Sequence, residues 1–177
     1  MEKRWKKIIA ERASAIVVAD ELSEESAALL TEEMPPEEFI SLLADAHNWM
    51  DAVSVLSNAL PRREAVWWAC VCARGMQGVV NDKGQQIALA AAEKWVYKPT
   101  DEHRTAAYQS IQNCDSGSGG MMCALAAAFS EVTIPMGGDL KIDVDPSVFP
   151  GLVFAIILMA ADEGEGDHLN ERLETFF

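Results

Sequence analysis

Residues 60–74 are Leu60-Pro61-Arg62-Arg63-Glu64-Ala65-Val66-Trp67-Trp68-Ala69-Cys70-Val71-Cys72-Ala73-Arg74. Pro61 stands where the start of a helix tolerates proline, and the run Ala65–Ala73 behind the charges is entirely apolar. At about 3.6 residues per turn, this run covers every face of a helix. A helix that is apolar on every face is typical of a buried element. We therefore predict a central helix, whose neighbours Trp67 and Trp68 pack on different elements of a helical body.

Length and composition favour one all-helical domain. The chain has 177 residues, half of them apolar, and we expect a single domain over residues 1–177. Apolar and polar residues alternate only near residues 131–145, around Pro135-Met136-Gly137-Gly138. We predict an all-α fold, either a compact multi-helix bundle or an irregular stack of antiparallel helix pairs. A short β-hairpin or an extended arm is expected at about 131–145.

Apolar spacing and turn residues place the other helices. Residues 5–17 have the spacing of an amphipathic first helix, and Ser23 with two glutamates behind it is typical of a helix start. A broad apolar stripe predicts one long helix over residues 36–56. The glycines within residues 75–84 indicate a loop, and residues 115–120 indicate a flexible joint.

The charge of the chain argues against nucleic acid as a partner. The formal net charge is −14, whereas nucleic-acid binding relies on basic surface that displaces counterions from phosphate. Between Ala13 and Pro61 there are ten acidic residues and no lysine or arginine. Most such runs are solvated faces, but this one also fits a docking face for a basic protein. The residues of this predicted interaction face are Glu24, Glu25, Glu32, Glu33, Glu37 and Glu38.

No stretch of the sequence is long enough to cross a membrane. The longest apolar runs, residues 65–73 and 152–161, have about half of the roughly 20 residues that a bilayer requires. Charges near the N-terminus leave too short an apolar core for a secretory signal. We therefore expect a cytoplasmic protein whose cysteines are reduced thiols.

The cysteines provide weak metal and thiol hypotheses. Cys70 and Cys72 point about 200° apart on a helix, so they cannot hold one ion together, and buried, inert thiols are expected. Cys114 and Cys123 flank the glycine joint and could approach each other or, with His103, a metal ion. No cofactor is expected, because no fourth ligand is well placed.

Other polar groups have ordinary structural interpretations beside their chemical ones. Asp143 and Asp145 could hold magnesium on one side of a strand, although an exposed edge strand has the same pattern. Residues 117–120 precede a helix but lack the lysine of a phosphate-binding loop. Arg62, Arg63 and Glu64, at the start of the helix that contains the two adjacent tryptophans, could form ion pairs with acidic residues of the preceding helix. The residues assigned to this structural motif are Pro61, Arg62, Arg63, Glu64, Trp67, Trp68 and Trp95.

Three segments resemble a known family. They are A-L-P-R-R-E-A-V-W-W-A-C at Ala59–Cys70, A-A-E-K-W-V at Ala91–Val96 and P-T-D-E-H-R at Pro99–Arg104. In them the chain is similar to a family of uncharacterised bacterial proteins, a domain of unknown function. The resemblance implies an all-helical fold and a link to bacterial secretion-system gene clusters, and it carries over no catalytic residue. Between Ser130 and Pro150 the chain departs from the family, whose members look proline-rich there.

The leading expectation for function is a non-enzymatic adaptor or chaperone-like protein that binds another protein, which the acidic charge suggests is basic. The first alternative is a small metal- or thiol-dependent hydrolase that uses His103, Cys114, Cys123 or the pair Asp143 and Asp145. The second alternative is an acidic immunity protein that neutralises a basic toxin.

Overall fold

Ten α-helices and one two-stranded antiparallel sheet form the described part of the chain, which in this computed structural model comprises residues 7–8, 10–17, 22–137, 140–163 and 168–177. The predicted all-α fold class with a short hairpin is confirmed. In chain order the elements are α1 (Glu24–Leu29), α2 (Pro36–Asp45), α3 (Trp49–Ala59), α4 (Arg62–Ala73), α5 (Gln77–Asn81), α6 (Lys83–Tyr97), α7 (Asp101–Ser110), α8 (Gly119–Ala128), β1 (Thr133–Gly137), β2 (Leu140–Asp143), α9 (Val148–Asp162) and α10 (Leu169–Phe176).

Contacts divide the chain into two units. Unit 1 comprises Met1–Pro61 and His168–Phe177, and unit 2 comprises Arg62–Asp167. Unit 1 contains α1, α2, α3 and α10, while unit 2 contains the remaining helices and the hairpin. The expectation of one domain over the whole chain stays a prediction, and each unit is described by itself.

A polar network joins the starts of two helices in unit 1. The Ser23 Oγ accepts a hydrogen bond from the Ser26 backbone N–H, which is the predicted cap of α1, and it donates to Asp51 Oδ2 at 2.6 Å. The Asn48 side chain donates to the buried Ser26 Oγ at 3.0 Å. Side-chain caps of this kind satisfy amides that a helix start leaves without partners. The network therefore fixes the start of α1 against the start of α3.

The long helix predicted over residues 36–56 is wrong, because the chain forms two helices there. The backbone of His47 lies at φ 58°, in the left-handed region that residues with a side chain rarely occupy, and this ends α2 before α3 begins. The apolar stripe continues across the break because α2 packs against α3 and both bury their apolar faces. Sequence spacing alone could not distinguish two packed helices from one.

The first helix predicted over residues 5–17 is not supported where the structure describes it. Only one turn of 3-10 helix, at Ala13–Ala15, is present in the described residues of this segment. Residues 1–6, including Trp5, and Ile9 lie outside the described residues. Ala13 is fully buried, and its backbone N–H donates to the Met34 carbonyl, so this segment is held by a contact to the α2 side of unit 1.

The most enclosed helix of unit 2 is α8, whereas the sequence favoured α4. Helix α8 packs against α4, α6, α7 and α9, and seven of its ten residues are buried glycines, alanines and a cysteine. Small side chains let helix backbones approach closely. An alanine-rich helix therefore occupies the centre that tryptophans were expected to fill.

The second half of the joint predicted at residues 115–120 is closely packed in the first turn of α8. Gly119 and Gly120 are buried in the first turn of α8, and a Cβ at residue 120 would lie 2.4 Å from the Gln85 carbonyl oxygen. Among residues 115–120, Gly117 has a positive φ, 75°, which glycine adopts without strain. The loop predicted at residues 75–84 likewise contains the short helix α5. The prediction of a flexible joint is therefore wrong for Gly119 and Gly120.

The predicted hairpin lies at β1 and β2. The two strands are antiparallel, with Ile134 opposite Ile142 and an irregularity between Pro135 and Gly137. Ile134 is buried, whereas Ile142 is exposed. The hairpin packs against α7 through β1, so its inner side is part of the core of unit 2.

Candidate functional site

Helix α4 is not buried on every face. Trp67 and Val71 are each 45% exposed. Because residues four apart lie on the same side of a helix, these two form one exposed face of α4. The opposite faces contact α6, α8 and α9, which bury Val66, Ala69 and Cys70. The prediction of complete burial is wrong because an apolar run carries no periodic signal that would identify the exposed face.

The exposed tryptophan is held in a fixed orientation. The Arg74 guanidinium lies 4.8 Å from the centre of the Trp67 ring, and the Arg74 Nε donates to Glu93 Oε1 at 2.7 Å. A guanidinium over an indole face is attracted by the ring quadrupole. The ion pair with Glu93 on α6 restrains the arginine in turn. We call Trp67, Val71 and Arg74 the tryptophan surface.

The other members of the structural motif lie on α4, on α6 or directly before α4. Trp95 is buried in α6, with 4% of its surface exposed, and Trp68 is half-buried. The Arg63 Nε donates to the Val96 carbonyl at 2.7 Å, at the end of α6. Pro61 precedes α4, and Glu64 is half-buried in its first turn.

The arginines at the start of α4 differ from expectation in their contacts. Arg62 lies 4.2 Å above the ring of Phe149 on α9, and Arg63 contacts a backbone carbonyl. The sequence predicts carboxylate partners for both, whereas these contacts are to an aromatic ring and to a backbone carbonyl. The two arginines tie α4 to α9 and to α6 within unit 2.

The six glutamates of the predicted interaction face lie on α1, α2 and the segment between these helices, all in unit 1. Five are exposed, and Glu37 is half-buried. Glu33 is paired with Arg12 at 3.0 Å. In the part of the chain that the structure describes, the other five have no ion pair. We call these residues the acidic surface: Glu24, Glu25, Glu32, Glu33, Glu37 and Glu38.

A small pocket lies beside the start of α4. It has a volume of about 150 Å³ and is lined by Arg62, Glu131 and Asp145, by Phe129 and Ser130 at the end of α8, and by Val132 and Pro146. The Ser130 side chain is 3% exposed, and its Oγ has no hydrogen-bond partner among the described residues. Burial lowers the pKa of Arg62, while the charge of Glu131 acts in the opposite direction.

Three cysteines lie in the interior of unit 2. Cys70, Cys72 and Cys123 are buried. Burial and the neighbouring Cys70 raise the pKa of Cys72 to about 12, and a hydrogen bond with Cys70 together with burial raises the pKa of Cys123 well above its usual range. A thiol reacts as its thiolate, so these shifts make both groups inert at neutral pH. All four cysteines are free thiols.

The structure does not bring the groups of the hydrolase hypothesis together. Cys123 lies among Cys70, Cys72 and Glu93, whereas the pKa of Cys114 is raised by burial and by the charges of Asp82 and Asp115. The ring Nδ1 of His103 lies 2.7 Å from the Lys98 carbonyl. Asp143 is paired across the hairpin with Thr133, and Asp145 Oδ1 accepts hydrogen bonds from Ser147.

No group of three or more histidine, cysteine, aspartate or glutamate side chains in the described ranges could hold a metal ion. Within the same ranges, no helix is both long enough and apolar enough to cross a bilayer.

Sequence reasoning missed the pocket and the exposed face of α4. Arg62 and Ser130 are 68 positions apart, and only the packing of α8 against α4 and α9 brings their neighbourhoods together. No local spacing rule connects such residues. The lone serine after an alanine-rich helix has no sequence signal that distinguishes it from an ordinary loop serine.

The chain is an all-α protein with a small hairpin, and comparison places it in a family. A family model described as a family of unknown function, DUF6931, matches residues 39–177, and the chain therefore belongs to that family. Neither a curated protein nor a solved structure matches the chain. The predicted membership of a helical family of unknown function is confirmed, while the bacterial origin and the link to secretion systems stay predictions.

Proposed function

We propose that this chain is a non-enzymatic protein-interaction protein, an adaptor or chaperone-like protein that binds its partner through the tryptophan surface of α4. The observation that carries the proposal is the half-exposed Trp67 ring, restrained by Arg74, which is in turn restrained by Glu93. Tryptophan and arginine are enriched among the residues that dominate binding energy at protein interfaces. Because the ring is already oriented, less side-chain entropy is lost on binding.

We expect the protein that binds this chain to carry basic residues. Unit 1 presents the acidic surface, on which only Glu33 has an ion pair among the described residues, and the whole chain has a net charge of −14. A field of this sign accelerates association with a basic protein and repels acidic ones. Exposed charges govern mainly the association rate and its salt dependence, whereas the buried aromatic contact governs the lifetime of the complex.

The test compares tagged variants in a native lysate, with captured proteins quantified by mass spectrometry. Trp67→Ala is expected to reduce capture of the specific partner at least tenfold, as expected for a residue that dominates interface energy. Tyr97→Ala is the matched control, because Tyr97 is an aromatic residue of unit 2 that is 86% exposed and lies outside the tryptophan surface. Equal capture by both variants, or no specific partner with the unmodified chain, would overturn the proposal.

A second comparison tests the acidic surface. The double variant Glu24→Lys with Glu25→Lys is expected to slow association with the purified partner and to weaken its dependence on salt. Asp45→Lys is the control, since Asp45 is an exposed acidic residue of α2 that lies outside the acidic surface. An unaltered association rate in the double variant would show that the acidic surface does not attract the partner.

The acidic surface also supports the narrower role of an immunity protein. In that case one basic toxin would be captured in a tight, salt-sensitive complex, and adding this chain would abolish the toxicity. Capture of several unrelated proteins would instead favour the chaperone-like role. The cytoplasmic location predicted from the sequence stays a prediction.

A further inference from the structure

The hairpin of unit 2 leaves one edge of its sheet open. Strand β1 packs against α7, and its Thr133 carbonyl accepts a hydrogen bond from Arg104. Strand β2 pairs with β1, and no third strand lies beside it among the described residues. The outer side of β1 is therefore covered, whereas the outer side of β2, which we call the open edge, can accept another strand. Strand addition to a sheet edge is a recurring way in which proteins bind one another.

The register of the hairpin shows which residues of β2 face the open edge. The Val144 backbone N–H donates to the Val132 carbonyl at 2.8 Å, so these two residues form a hydrogen-bonded pair. Hydrogen-bonded and non-hydrogen-bonded pairs alternate along an antiparallel ladder. Ile142, two residues before Val144, is therefore bonded to β1. Lys141 and Asp143 direct their backbone N–H and carbonyl groups away from β1, towards the open edge.

The residues opposite them on β1 agree with this assignment. Pro135, which has no N–H to donate, is paired with Lys141, and Thr133 is paired with Asp143. Proline is tolerated in a sheet where its nitrogen faces away from the neighbouring strand. The Thr133 carbonyl also faces away from β2, because it accepts a hydrogen bond from Arg104. Both observations place the outward backbone groups of Lys141 and Asp143 on the open edge.

The side chains of the open edge are complementary to those of a second copy. Lys141 and Asp143 are exposed and lie on one face of β2, since residues two apart in a strand share a face. When two β2 strands lie antiparallel and centred on Ile142, Lys141 of each copy lies opposite Asp143 of the other. A shift by two residues would place Lys141 opposite Lys141, or Asp143 opposite Asp143. Like charges directly opposite each other are destabilising, so charge selects a single register.

We propose that a second copy of this chain binds the open edge, in a two-fold symmetric dimer whose β2 strands pair antiparallel around Ile142. Each Lys141 and the opposite Asp143 exchange two backbone hydrogen bonds and form an ion pair. The Ile142 side chains, each 43% exposed in the single chain, lie opposite each other and cover part of this apolar surface. Because each sheet has one open edge, the assembly closes at two copies. This interaction is independent of the tryptophan surface and of the function proposed for it.

The dimer is expected to be weak. Its strand pairing is short compared with the roughly 800 Å² that each partner buries in a stable complex, and two chains of net charge −14 repel each other. A salt concentration of about 0.15 M, where the Debye length is about 8 Å, reduces this repulsion. Under these conditions we expect a dissociation constant on the order of 0.1 mM. Amide relaxation of the isotopically labelled full chain, measured from roughly 0.05 to 1 mM, reports the monomer–dimer equilibrium through the tumbling rate.

Charge-reversal variants test the register. Lys141→Asp places carboxylates opposite each other in both pairs, and Asp143→Lys does the same with ammonium groups. Each variant alone is therefore expected to dimerise at least tenfold more weakly. Mixed together, the two variants restore opposite charges in both pairs and are expected to form a heterodimer about as stable as the original dimer. Lys83→Asp is the control for net charge, because it makes the same change at an exposed residue at the start of α6.

Hydrogen exchange locates the interface on the backbone. The Lys141 and Asp143 amides are expected to exchange roughly threefold more slowly at about 1 mM chain than at about 0.05 mM, because fewer chains are then monomeric. The Ile142 amide, which is bonded to β1 in the single chain, is expected to change little. This pattern distinguishes pairing at the open edge from contact through any other surface.

The outcomes separate this dimer from its alternatives. A chain that stays monomeric up to roughly 1 mM would overturn the proposal. A dimer unaffected by either charge reversal would also overturn it, because the copies would then meet through another face. Slower exchange of the Lys141 and Asp143 amides only after another protein is added would assign the open edge to a strand of that protein instead. Trp67→Ala is expected to dimerise like the unmodified chain, so failure of the protein-binding proposal leaves this test intact.

Discussion

Arg104 on α7 donates from its Nε and Nη2 to the carbonyl oxygen of Ala128, at 3.3 and 3.2 Å, at the end of α8. The same guanidinium donates to the Thr133 carbonyl of β1 and to Asp101 at 2.9 Å. Only 5% of Arg104 is exposed. A cation at a helix C-terminus is favoured by the helix dipole and satisfies a carbonyl that the helix leaves without a partner. One side chain thus fixes the hairpin against the end of α8, next to the pocket.

Replacing Arg104 is expected to be strongly destabilising. Arg104→Ala leaves the Ala128 and Thr133 carbonyls without their donor, so the free energy of unfolding should fall by roughly 2–4 kcal/mol. Arg104→Lys is expected to recover part of this loss, since an ammonium can reach one carbonyl but not both. Urea unfolding followed by circular dichroism measures both variants, and a loss of less than about 1 kcal/mol for alanine would contradict this role.

The approach of α8 to α6 depends on Gly120. A methyl group there would lie within 3 Å of Gln85 backbone atoms, which cannot move aside as a flexible side chain could. Gly120→Ala is therefore expected to lower the free energy of unfolding by about 1–3 kcal/mol through overpacking.

Gly151 supplies the matched control for that substitution. It lies in α9 with open space where a Cβ would be. Gly151→Ala is expected to raise the free energy of unfolding by up to about 1 kcal/mol, because alanine is the better helix former. If both substitutions shift the urea midpoint in the same direction, close packing at Gly120 is not what selects glycine.

Capping residues predicted helix starts correctly, whereas apolar periodicity alone misplaced the helices over residues 5–17 and 36–56. The cap expected at Ser23 is present, and Thr100 caps α7 in the same way, each side chain accepting a hydrogen bond from the backbone N–H three residues on. Pro36 is the first residue of α2. These features depend on neighbours within a few residues, so sequence spacing is sufficient to find them. The presence of the helices and of the hairpin could be predicted for the same reason.

Packing partners could not be predicted in this way. The exposed side of α4 and the central place of α8 depend on which helices meet, and an apolar run has no periodicity that encodes this choice. The positive φ of His47, which separates α2 from α3, likewise has no signal in the residue spacing. The pocket combines residues from α4, from the end of α8 and from the segment before α9, so none of its geometry is local.

Thiol reactivity tests the interior of unit 2. Burial raises the pKa values of Cys72 and Cys114, and a hydrogen bond with Cys70 together with burial raises that of Cys123. Cys70 is fully buried. In the folded chain at about pH 8, only the half-buried Cys114 is expected to react with a disulfide reagent, and slowly, because little thiolate is present. All four thiols should react after unfolding. Cys114→Ser should abolish the reaction of the folded chain, and rapid modification of two or more thiols would contradict the described packing.

The turn before α9 predicts a measurable pH dependence at Asp145. Its Oδ1 accepts hydrogen bonds from the Ser147 Oγ at 2.6 Å and from the Ser147 backbone N–H at 2.9 Å, and these bonds lower the pKa of Asp145. A carboxylate with a lowered pKa stabilises the folded state above its unfolded pKa, and this contribution is lost as the pH falls through the folded pKa. NMR titration of the Asp145 carboxyl carbon measures the shift. Ser147→Ala, which keeps only the backbone donor, should raise this pKa towards its usual range, whereas Ser147→Thr should leave it low. An equal pKa in both variants would show that the hydroxyl does not hold the carboxylate.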